Sequence, residues 1–297
     1  MDGIILINKQ KKYTSHDVVN KVKKITKSKV GHTGTLDPNA TGVLPLLLGN
    51  ATKISKYLIN HDKEYEVLLQ LGTKTDTADA EGKIIEKKDV NIDSLSEENV
   101  KKVLSTFLGK QKQMPPMYSA IKVNGKKLYQ YARQGQEVEI KPREIEIYEI
   151  KLINLDKKQK QISLVVSCSK GTYIRSLCED IADRLGTVGF MKELNRTKVG
   201  EFNIKDCVTI EEFEEKYNKN DFSDIITIEE IFKENPKIEL DNLNIKQYLN
   251  GVKIKVPVQD AVYRTYLNNK FIGLGIVKES YLKRDWVFLG TLSKNIF

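Results

Sequence analysis

One glycine- and proline-rich segment near the start of the chain constrains the fold more than any other feature. Residues 31–45 have the sequence GHTGTLDPNATGVLP, with three glycines, two prolines and three threonines in fifteen positions. Ordering such a segment is costly, because its backbone has much conformational freedom to lose. Long ordered loops in compact domains are usually functional. Asp37 followed by Pro38 is also an ordinary turn-initiating pair. The residues alone therefore leave Asp37 as either a turn residue or a functional carboxylate.

The hydrophobic spacing on either side of this segment indicates strands and helices in irregular order. Alternation at residues 65–71 is typical of a half-buried strand, and 3.6-residue spacing after Ser96 is typical of a helix. We place a long loop at 30–49 and helix-closing glycines at Gly109 and Gly186. Because helices and strands do not alternate regularly, the pattern predicts an α+β fold and not a doubly wound parallel sheet. Further strands are predicted at 3–7, 143–155 and 160–169, and further helices beginning at Ser15, near Thr52 and at Tyr173.

The pattern changes from about residue 242 onward. A short helix near residues 245–249 is followed by brief apolar segments separated by glycines, which favours a small β-barrel or sandwich. We place the domain boundary at Asn235-Pro236. The chain is thus predicted to hold a larger domain, residues 1–236, and a smaller one, residues 237–297.

Positive charge is concentrated in two stretches. The formal net charge is +9, which favours a polyanionic partner. Residues 9–29 hold eight lysines and one acid, and residues 110–136 hold six basic residues and no acid. Residues 201–241 are acidic, with thirteen acids against five basic residues. This separation indicates an RNA-facing side and a solvent side. Solvated helix faces would give the same pattern, so charge alone leaves both interpretations open.

Several classes of protein are disfavoured by what the sequence lacks. The three cysteines are odd in number and show no CxxC spacing, which argues against a disulfide framework or a zinc knuckle. There is no Walker motif, GxGxxG or GxSxG, and the three histidines are not at metal-ligand spacing, so no metal site is expected. The start, MDGIILINKQ, lacks the order of a signal peptide, and no apolar run is long enough to span a bilayer. We therefore expect a cytoplasmic protein.

The segment 31–45 is the first of five ordered blocks in the chain. The four blocks that follow it are KEYEV at 63–67, QMPPMYSAIKVNGKKLYQYARQG at 113–135, CSKGTYIRSL at 168–177 and LNRTKVGEF at 194–202. Together and in this order, the five blocks resemble the tRNA pseudouridine-55 synthase family, the TruB type. The resemblance implies a pseudouridine synthase fold with a mixed, largely antiparallel central sheet. It also implies isomerisation of uridine 55 in the T-loop of tRNA, by a monomer that needs no cofactor and no obligatory protein partner.

The resemblance also implies roles for individual residues. Asp37 matches the family's catalytic aspartate. Tyr65 matches a tyrosine that stacks on the target uracil, with Tyr173 and Arg175 beside it. The remaining matches are His32, which contacts the RNA, Leu194, which lines the base pocket, and Lys9, which is structurally important near the site.

The reaction explains why a carboxylate is needed and a redox cofactor is not. The bond from ring nitrogen 1 to the ribose breaks and the sugar is rejoined at ring carbon 5, without net oxidation or reduction. The base must first leave the stack, and an aromatic face such as Tyr65 can hold it there. Asp37 can act as a nucleophile at the sugar or as the base that removes a sugar proton, and the sequence leaves both open. We expect Arg175 to lower the pKa of Asp37 by pairing with it.

Residues 110–136, which we call the thumb, resemble the family's mobile RNA-binding insertion. Cations alternate there with tyrosines, which suits contact with an RNA backbone and loop. The other interpretation is a solvated helix with a tyrosine stripe against the core. The C-terminal part resembles the small RNA-binding PUA barrel, through FIGLGIV at 271–277 and WVFLGTL at 286–292, and is expected to contact the acceptor end of tRNA or to pack on the catalytic domain. The thumb residues expected to contact the RNA backbone are Lys122, Lys126, Lys127 and Arg133.

One departure from the family lies near the start. Relatives have DKPxGxTS, whereas this chain has NKQKKYTS at 8–15, with Asn8, Gln10 and Lys12 in place of the acid, proline and glycine. We therefore expect a looser turn before Thr14. Two alternatives to a stand-alone enzyme remain: an RNA chaperone without chemistry, and a guide-RNA-directed relative that acts on ribosomal RNA. The joint presence of the catalytic residues and a complete thumb favours the enzyme.

Overall fold

A ten-stranded sheet forms the centre of the molecule, and a five-stranded sheet follows it in the chain. The structure is a computed structural model that describes residues 1–288. The strands are β1 (Gly3–Lys9), β2 (Val30–His32), β3 (Thr41–Leu48), β4 (Lys63–Leu71), β5 (Thr73–Thr75), β6 (Ile84–Lys87), β7 (Gly109–Gln113), β8 (Lys122–Val123), β9 (Lys126–Lys127), β10 (Arg143–Asp156), β11 (Gln161–Cys168), β12 (Gly189–Val199), β13 (Phe202–Asn203), β14 (Ile225–Ile226), β15 (Lys237–Leu240), β16 (Ile254–Lys255), β17 (Ala261–Leu267), β18 (Lys270–Lys278) and β19 (Tyr281–Val287). The α-helices are α1 (Ser15–Thr26), α2 (Ser55–Leu58), α3 (Glu97–Ser105), α4 (Leu128–Arg133), α5 (Ile174–Arg184), α6 (Ile210–Asn218), α7 (Ile228–Ile231) and α8 (Asn242–Leu249), with 3-10 turns at Gly49–Ile54 and Ile204–Asp206.

The large sheet is mixed but mostly antiparallel. Its main path runs β14-β1-β3-β12-β4-β11-β10-β7, with β2 added beside β3 and β13 beside β12. Within the described chain, the one parallel pairing in this sheet joins β3 to β12, where Thr41 and Gly42 lie opposite Asn195 and Arg196. The predicted α+β class with a largely antiparallel sheet is confirmed. This parallel pairing brings the glycine-rich segment next to a strand about 150 residues later in the chain, and the largest part of the candidate site is built around this junction.

Strand β1 shows why a continuous apolar run was needed at the start of the chain. Ile5 and Ile7 face the cluster under the helices, whereas Ile4 and Leu6 face the opposite side. All four are almost completely buried, because both faces of this part of the sheet are covered. Helices cover one face, and the C-terminal sheet packs against the other.

Helix α1 begins as predicted at Ser15, and its start is fixed by a capping box. The Asp17 amide donates to Thr14 Oγ1 at 3.1 Å, and the Thr14 amide donates to Asp17 Oδ2 at 2.9 Å. Val18 and Val22 then bury against the sheet. Of the helices among residues 1–288, none has the length and apolar character needed to cross a membrane.

The C-terminal sheet curls around α8 and has the order β15-β17-β18-β19-β16. Its own core includes Tyr248 and Leu282, both buried. On the other side, Leu274 and Trp286 join Ile4 of β1 in one apolar cluster, so the small sheet packs on the back of the large one. The predicted PUA-like C-terminal fold is confirmed, while Gly290 and the end of the WVFLGTL block lie outside the described residues.

Three local predictions were wrong, each for a physical reason. The loop placed at 30–49 is confined to residues 33–40, because Thr41–Leu48 is a strand buried on both faces and therefore shows no alternation. Strand β12 was not predicted, since bulges near Lys192 and Thr197 break its alternation. Gly109 does not close a helix: α3 ends at Ser105, and Gly109, with φ of +88°, opens β7. Gly186 does close α5, with its amide donating to the Asp183 carbonyl at 2.8 Å.

Candidate active site

A cavity of about 860 Å³ lies where loop 33–40, the sheet, the start of α5 and the thumb meet. It is large enough for more than one pyrimidine ring, and it falls in the usual size range of ligand sites. Six side chains predicted to act on or bind the base line it together, although they come from four separate blocks of the sequence. These six are His32, Asp37, Tyr65, Tyr173, Arg175 and Leu194.

Asp37 forms a two-pronged ion pair with Arg175 in this cavity. Arg175 Nε lies 3.1 Å from Asp37 Oδ2, and Arg175 Nη2 donates to Asp37 Oδ1 at 3.3 Å. The Arg175 side chain is only 8% exposed, whereas the Asp37 side chain is 36% exposed. The guanidinium is therefore a fixed part of the wall, and the carboxylate is open to the cavity.

The other donors of Arg175 are held by backbone carbonyls and a second carboxylate. Its Nη1 donates to the Thr77 carbonyl at 3.2 Å, and its Nη2 donates to the Tyr118 carbonyl at 2.9 Å. Asp79 Oδ2 lies 3.7 Å from Nη1. Asp79 is itself held by the Thr77 hydroxyl at 2.6 Å and the Glu81 amide at 3.0 Å. Asp79 was missed in the sequence because it lies in the β5–β6 turn, where polar residues are ordinary.

The environment raises the pKa of Asp37 above its ordinary value. Burial is the largest influence and opposes the charged form, while Arg175 and Lys9 lower the pKa and Asp79 raises it. The expected lowering of the Asp37 pKa by Arg175 is confirmed, but burial outweighs it and the net shift of the pKa is upward. Arg175 offsets part of the desolvation cost of this partly exposed carboxylate.

Lys9 lies beneath loop 33–40 and does not line the cavity. It is fully buried, and its ammonium donates to the carbonyls of Tyr13 at 2.7 Å, Pro38 at 2.9 Å and Gln10 at 3.1 Å. Burial lowers its pKa to about 8. The side chain thus ties the turn at 10–13 to the peptide that follows Asp37, which fixes the position of the carboxylate.

Arg196 performs a similar task on the other side of the loop, and the sequence did not reveal it. It is 2% exposed, with Nε donating to the Val43 carbonyl at 2.8 Å and Nη2 to the Gly34 carbonyl at 3.1 Å. Its guanidinium also interacts with the Tyr65 hydroxyl. Gly42, with φ of +106°, is required here, because a Cβ would collide with the Arg196 backbone. The available signal was a cation two positions after Leu194, on the same face of a strand.

Tyr65 and His32 are both uncharged groups in the wall. Burial raises the pKa of the Tyr65 phenol, and burial lowers the pKa of the His32 imidazole, helped by Arg196. His32 Nδ1 has no hydrogen-bond partner within the described part of the chain. Tyr173 is the residue immediately before α5. Beside the Asp37–Arg175 pair, the wall therefore also offers neutral aromatic and apolar surface, which suits stacking of a nucleobase.

The thumb divides its predicted cations into two groups. Lys127 and Arg133 line the cavity, and their charged groups lie 5.5 and 5.4 Å from the centre of the Tyr129 ring. Lys122 and Lys126 are on the exposed β8–β9 hairpin and do not line it. The thumb buries Leu128 and leaves its tyrosines partly exposed, so it combines a small packing face with a cationic, aromatic one.

Similarity to solved structures defines the class of fold. A chain in a Cbf5–Nop10–Gar1 complex superposes with a TM-score of 0.71 at 24% identity, covering 96% of this chain and 84% of that one. A chain of an H/ACA RNP bound to a substrate RNA containing 2'-deoxyuridine gives 0.70 at 21% identity, covering 99% and 86%. At these identities the likeness concerns the fold, which is the pseudouridine synthase fold predicted from the sequence.

Sequence similarity then defines the family. Residues 22–174 match the TruB family pseudouridylate synthase N-terminal domain, and residues 175–241 match the tRNA pseudouridylate synthase B C-terminal domain. A tRNA pseudouridine synthase B of Clostridium kluyveri is 42% identical, covering 97% of this chain and all of that protein. Those of Clostridium tetani and Oceanobacillus iheyensis are 44% and 46% identical, covering 93% and 86% of this chain and 95% and 85% of theirs. The chain belongs to the TruB family of pseudouridylate synthases.

Proposed function

We propose that the protein isomerises uridine to pseudouridine at position 55 in the T-loop of tRNA, acting alone as a monomer in the cytoplasm. The observation that carries this proposal is the Asp37–Arg175 ion pair, at 3.1 Å, inside a cavity with aromatic walls. Relatives 42–46% identical over most of the chain are tRNA pseudouridine synthases B, which supports tRNA as the substrate.

The charge around the cavity suits RNA. Among the described residues, six cationic side chains line it against one carboxylate, Asp37. Such a wall attracts the phosphate backbone and releases bound counterions. The target uridine must leave its stack to reach Asp37, at a cost of a few kcal/mol that is smallest in a loop. The cationic residues are Lys63, Lys127, Lys170, Arg133, Arg175 and Arg196.

The flipped base is held by stacking and by shape. Tyr65 offers an aromatic face, which returns roughly 1–3 kcal/mol per base. Leu194 and Tyr173 complete an apolar wall around it. Because the pKa of the Tyr65 phenol is raised by burial, it stays neutral and adds no negative charge beside Asp37.

Asp37 then carries the chemistry at the sugar. The bond from ribose carbon 1' to ring nitrogen 1 breaks, and a bond from carbon 1' to ring carbon 5 forms. The proton on ring carbon 5 leaves, and ring nitrogen 1 ends protonated, so atoms and electrons balance without a cofactor. Asp37 acts in this scheme either as a nucleophile at carbon 1' or as the base that removes a ribose proton. Arg175 holds the carboxylate in a fixed orientation in both cases.

The division of labour along the chain is part of the proposal. We assign residues 1–236 to catalysis, with the thumb closing on the T-arm through Lys122, Lys126, Lys127 and Arg133. Residues 237–297 would contact the acceptor end of tRNA, since nine basic residues stand against three acids from residue 246 onward. The C-terminal sheet begins at Lys237, which supports the placement of the boundary.

Tritium release from a T-arm hairpin labelled at uracil carbon 5 tests the proposal. The wild-type chain is expected to release tritium, and the Asp37→Asn variant to release none while binding the hairpin with nearly unchanged affinity. Equal release by both proteins would remove Asp37 from the mechanism. Tight binding without release by either protein would instead favour an RNA chaperone. Release from ribosomal RNA only with an added guide RNA would favour the guided type of enzyme.

A further inference from the structure

Two lysines at one rim of the cavity have no carboxylate partner within residues 1–288. Lys63 begins β4 and Lys170 lies in the loop between β11 and α5, and both line the cavity that holds Asp37. Lys63 Nζ donates to the His61 carbonyl, and Lys170 Nζ donates to the neutral Asn60 side chain at 2.7 Å. In this described part of the chain, neither ammonium takes part in an ion pair.

The nearest carboxylates along the chain are engaged elsewhere. Glu64 accepts from the Thr197 hydroxyl at 2.8 Å and from Lys198 at 3.1 Å. Asp62 accepts from the Tyr148 hydroxyl at 3.2 Å. Lys63 is therefore partly buried without a carboxylate in ion-pair contact within residues 1–288; burial lowers its pKa, and the more distant charge of Asp62 opposes that shift only in part. A partly buried cation that the protein leaves unpaired is a group for which an incoming anion lowers the cost of desolvation.

The position of Lys63 relative to Tyr65 indicates which kind of anion the lysine would bind. Residues two apart on a strand point to the same face and are separated by about 7 Å. This is a span that a nucleotide bridges between its base and its own backbone. A uracil stacked on Tyr65 thus brings a phosphate to the Lys63 side of the cavity. Lys127 and Arg133 of the thumb lie over Tyr129 instead. Arg175 is engaged with Asp37, and Arg196 with backbone carbonyls. Of the cations that line the cavity, the two lysines on the rim are therefore the ones that we assign to a phosphate.

We propose that Lys63 and Lys170 form a phosphate-binding rim that holds the RNA backbone next to the target uridine and so sets which nucleotide reaches Asp37. This inference rests on the proposed function, because it takes the substrate to be a flipped nucleotide. The rim would fix the position of the RNA strand relative to the protein, while the thumb would supply further contacts with the RNA backbone.

The salt dependence of hairpin binding tests the rim. Binding of a T-arm hairpin is measured by fluorescence anisotropy over a range of salt concentrations, in full-length protein carrying Asp37→Asn so that the RNA stays unconverted. Lys63→Met and Lys170→Met are each expected to reduce the slope of log Kd against log salt by about 0.7, the loss of one phosphate contact with a single strand. Lys63→Arg should restore the slope. A purely structural role would weaken binding without changing the slope.

A matched control and an RNA variant complete the test. Lys101→Met removes the same charge from an exposed residue of α3 that pairs with Glu97 at 2.8 Å, and should leave the slope unchanged. A hairpin with one neutral methylphosphonate linkage, placed either 5' or 3' to the uridine, should bind less tightly to the parent protein. At one of these linkages the loss should disappear in Lys63→Met, because the contact is already gone. Unchanged slopes, or equal losses in parent and variant at both linkages, would overturn the rim.

The same hairpin separates this inference from the proposed function. Tritium release by the wild-type chain together with unchanged slopes in both lysine variants would overturn the rim and leave the function intact. Absence of release together with altered slopes would overturn the function and retain the rim as a phosphate site.

Discussion

Two opposing influences act on the pKa of Asp37. The protein buries it, which raises its pKa, and then supplies Arg175 at 3.1 Å to hold its charged form in place. The net direction is upward, so the carboxylate is a stronger base than an ordinary aspartate. In the proposed reaction, this arrangement would keep the carboxylate both basic and fixed in position beside the sugar.

The pH dependence of the reaction should report this raised pKa. Asp37 must be ionised to act, so kcat/KM is expected to fall on the acid side with a midpoint above the ordinary aspartate value of 3.8. Removing the guanidinium in Arg175→Met should move the midpoint further up, in addition to slowing the reaction. Tritium-release rates across the acid range measure both effects, with hairpin binding by Asp37→Asn at each pH as the control. A midpoint below 3.8 in the wild type would contradict the assignment.

Lys12 is a strained residue next to the catalytic loop. Its φ of +71° lies in the left-handed region, and its amide donates to the Pro38 carbonyl at 3.0 Å. The family has glycine at this position. The turn after β1 therefore has a left-handed backbone at Lys12, a conformation that favours glycine, although a lysine stands there. The Lys9 ammonium and the Lys12 amide both donate to the Pro38 carbonyl and hold this turn against loop 33–40.

Lys12→Gly should stabilise the protein by about 1 kcal/mol, since a side chain in the left-handed region costs roughly that amount. The midpoint of urea unfolding, measured by circular dichroism, is the readout. Lys12→Ala is the matched control, because it removes the same charge but keeps the Cβ, and it should give no comparable gain. A gain of equal size in both variants would trace the effect to charge and not to the backbone.

The sequence could identify the residues near Asp37 only in part. Asp37, Tyr65 and Arg175 stand in short blocks that resemble a family, so each could be named from the residues around it. Arg196 and Asp79 could not, because their importance lies in contacts with residues that are distant in the chain. Arg196 meets the Val43 carbonyl across 153 positions, and no local pattern carries that information.

At the scale of elements, Gln113 joins the thumb to the start of helix α5. It is the last residue of β7 and is 5% exposed. Its Nε2 donates to the Tyr173 carbonyl at 3.0 Å, and the Tyr173 amide donates back to Oε1 at 2.8 Å. Ser176 adds a bond to the Met114 carbonyl at 2.9 Å. The start of α5, which positions Arg175, is therefore fixed by the first residues of the thumb.

Gln113→Ala should slow the reaction by about tenfold or more, because a displaced α5 start misplaces Arg175. The rate should fall at saturating RNA while hairpin affinity changes little, which single-turnover kinetics and anisotropy separate. Gln113→Glu can still accept from the Tyr173 amide but cannot donate to its carbonyl, so an intermediate rate is expected. Gln111→Ala, on the same strand and bonded to the Phe107 carbonyl, is the control. A loss confined to affinity would contradict a positioning role.

A helix or strand could be predicted from the sequence when its hydrophobic residues recur with a regular period. Strand β4 alternates along Tyr65, Val67, Leu69 and Leu71, and it was found from that alternation. Strand β12 has the same central position in the sheet, but its two bulges shift the register and hide the pattern. Turn chemistry was visible where a single glycine closes a helix, as at Gly186, and misleading at Gly109, where the glycine opens a strand.

At the scale of the whole molecule, the two sheets share a core. Leu274 and Trp286 of the C-terminal sheet pack with Ile4 and Leu47 of the large sheet, and all four are at most 6% exposed. Asp285 adds polar contacts across the same boundary, accepting from the Tyr57 hydroxyl at 2.7 Å. Separation of the two sheets would expose the apolar surface that they share, so we expect them to unfold together.

Leu274→Ala should destabilise the whole chain by about 2–5 kcal/mol, through lost burial and a residual cavity. Trp286 is the single tryptophan, so its fluorescence reports the boundary while far-UV circular dichroism reports all secondary structure. Both transitions should shift by the same amount and remain coincident. Leu243→Ala, at a leucine that is 82% exposed, provides the control and should change neither. A shift in fluorescence with an unmoved dichroism transition would show that the sheets unfold separately.

The parallel pairing of β3 with β12 also determines when, during synthesis, the protein becomes competent. The ribosome delivers the GHTGTLDP segment early, but Arg175 and Arg196 emerge far later in translation. Until then the nascent chain lacks the cations that hold Asp37 and the carbonyls of its loop. A growing chain therefore lacks a complete cavity and cannot bind an RNA in it, although tRNA is abundant around the ribosome. The protein can bind its substrate only after most of the strands of the large sheet have been synthesised.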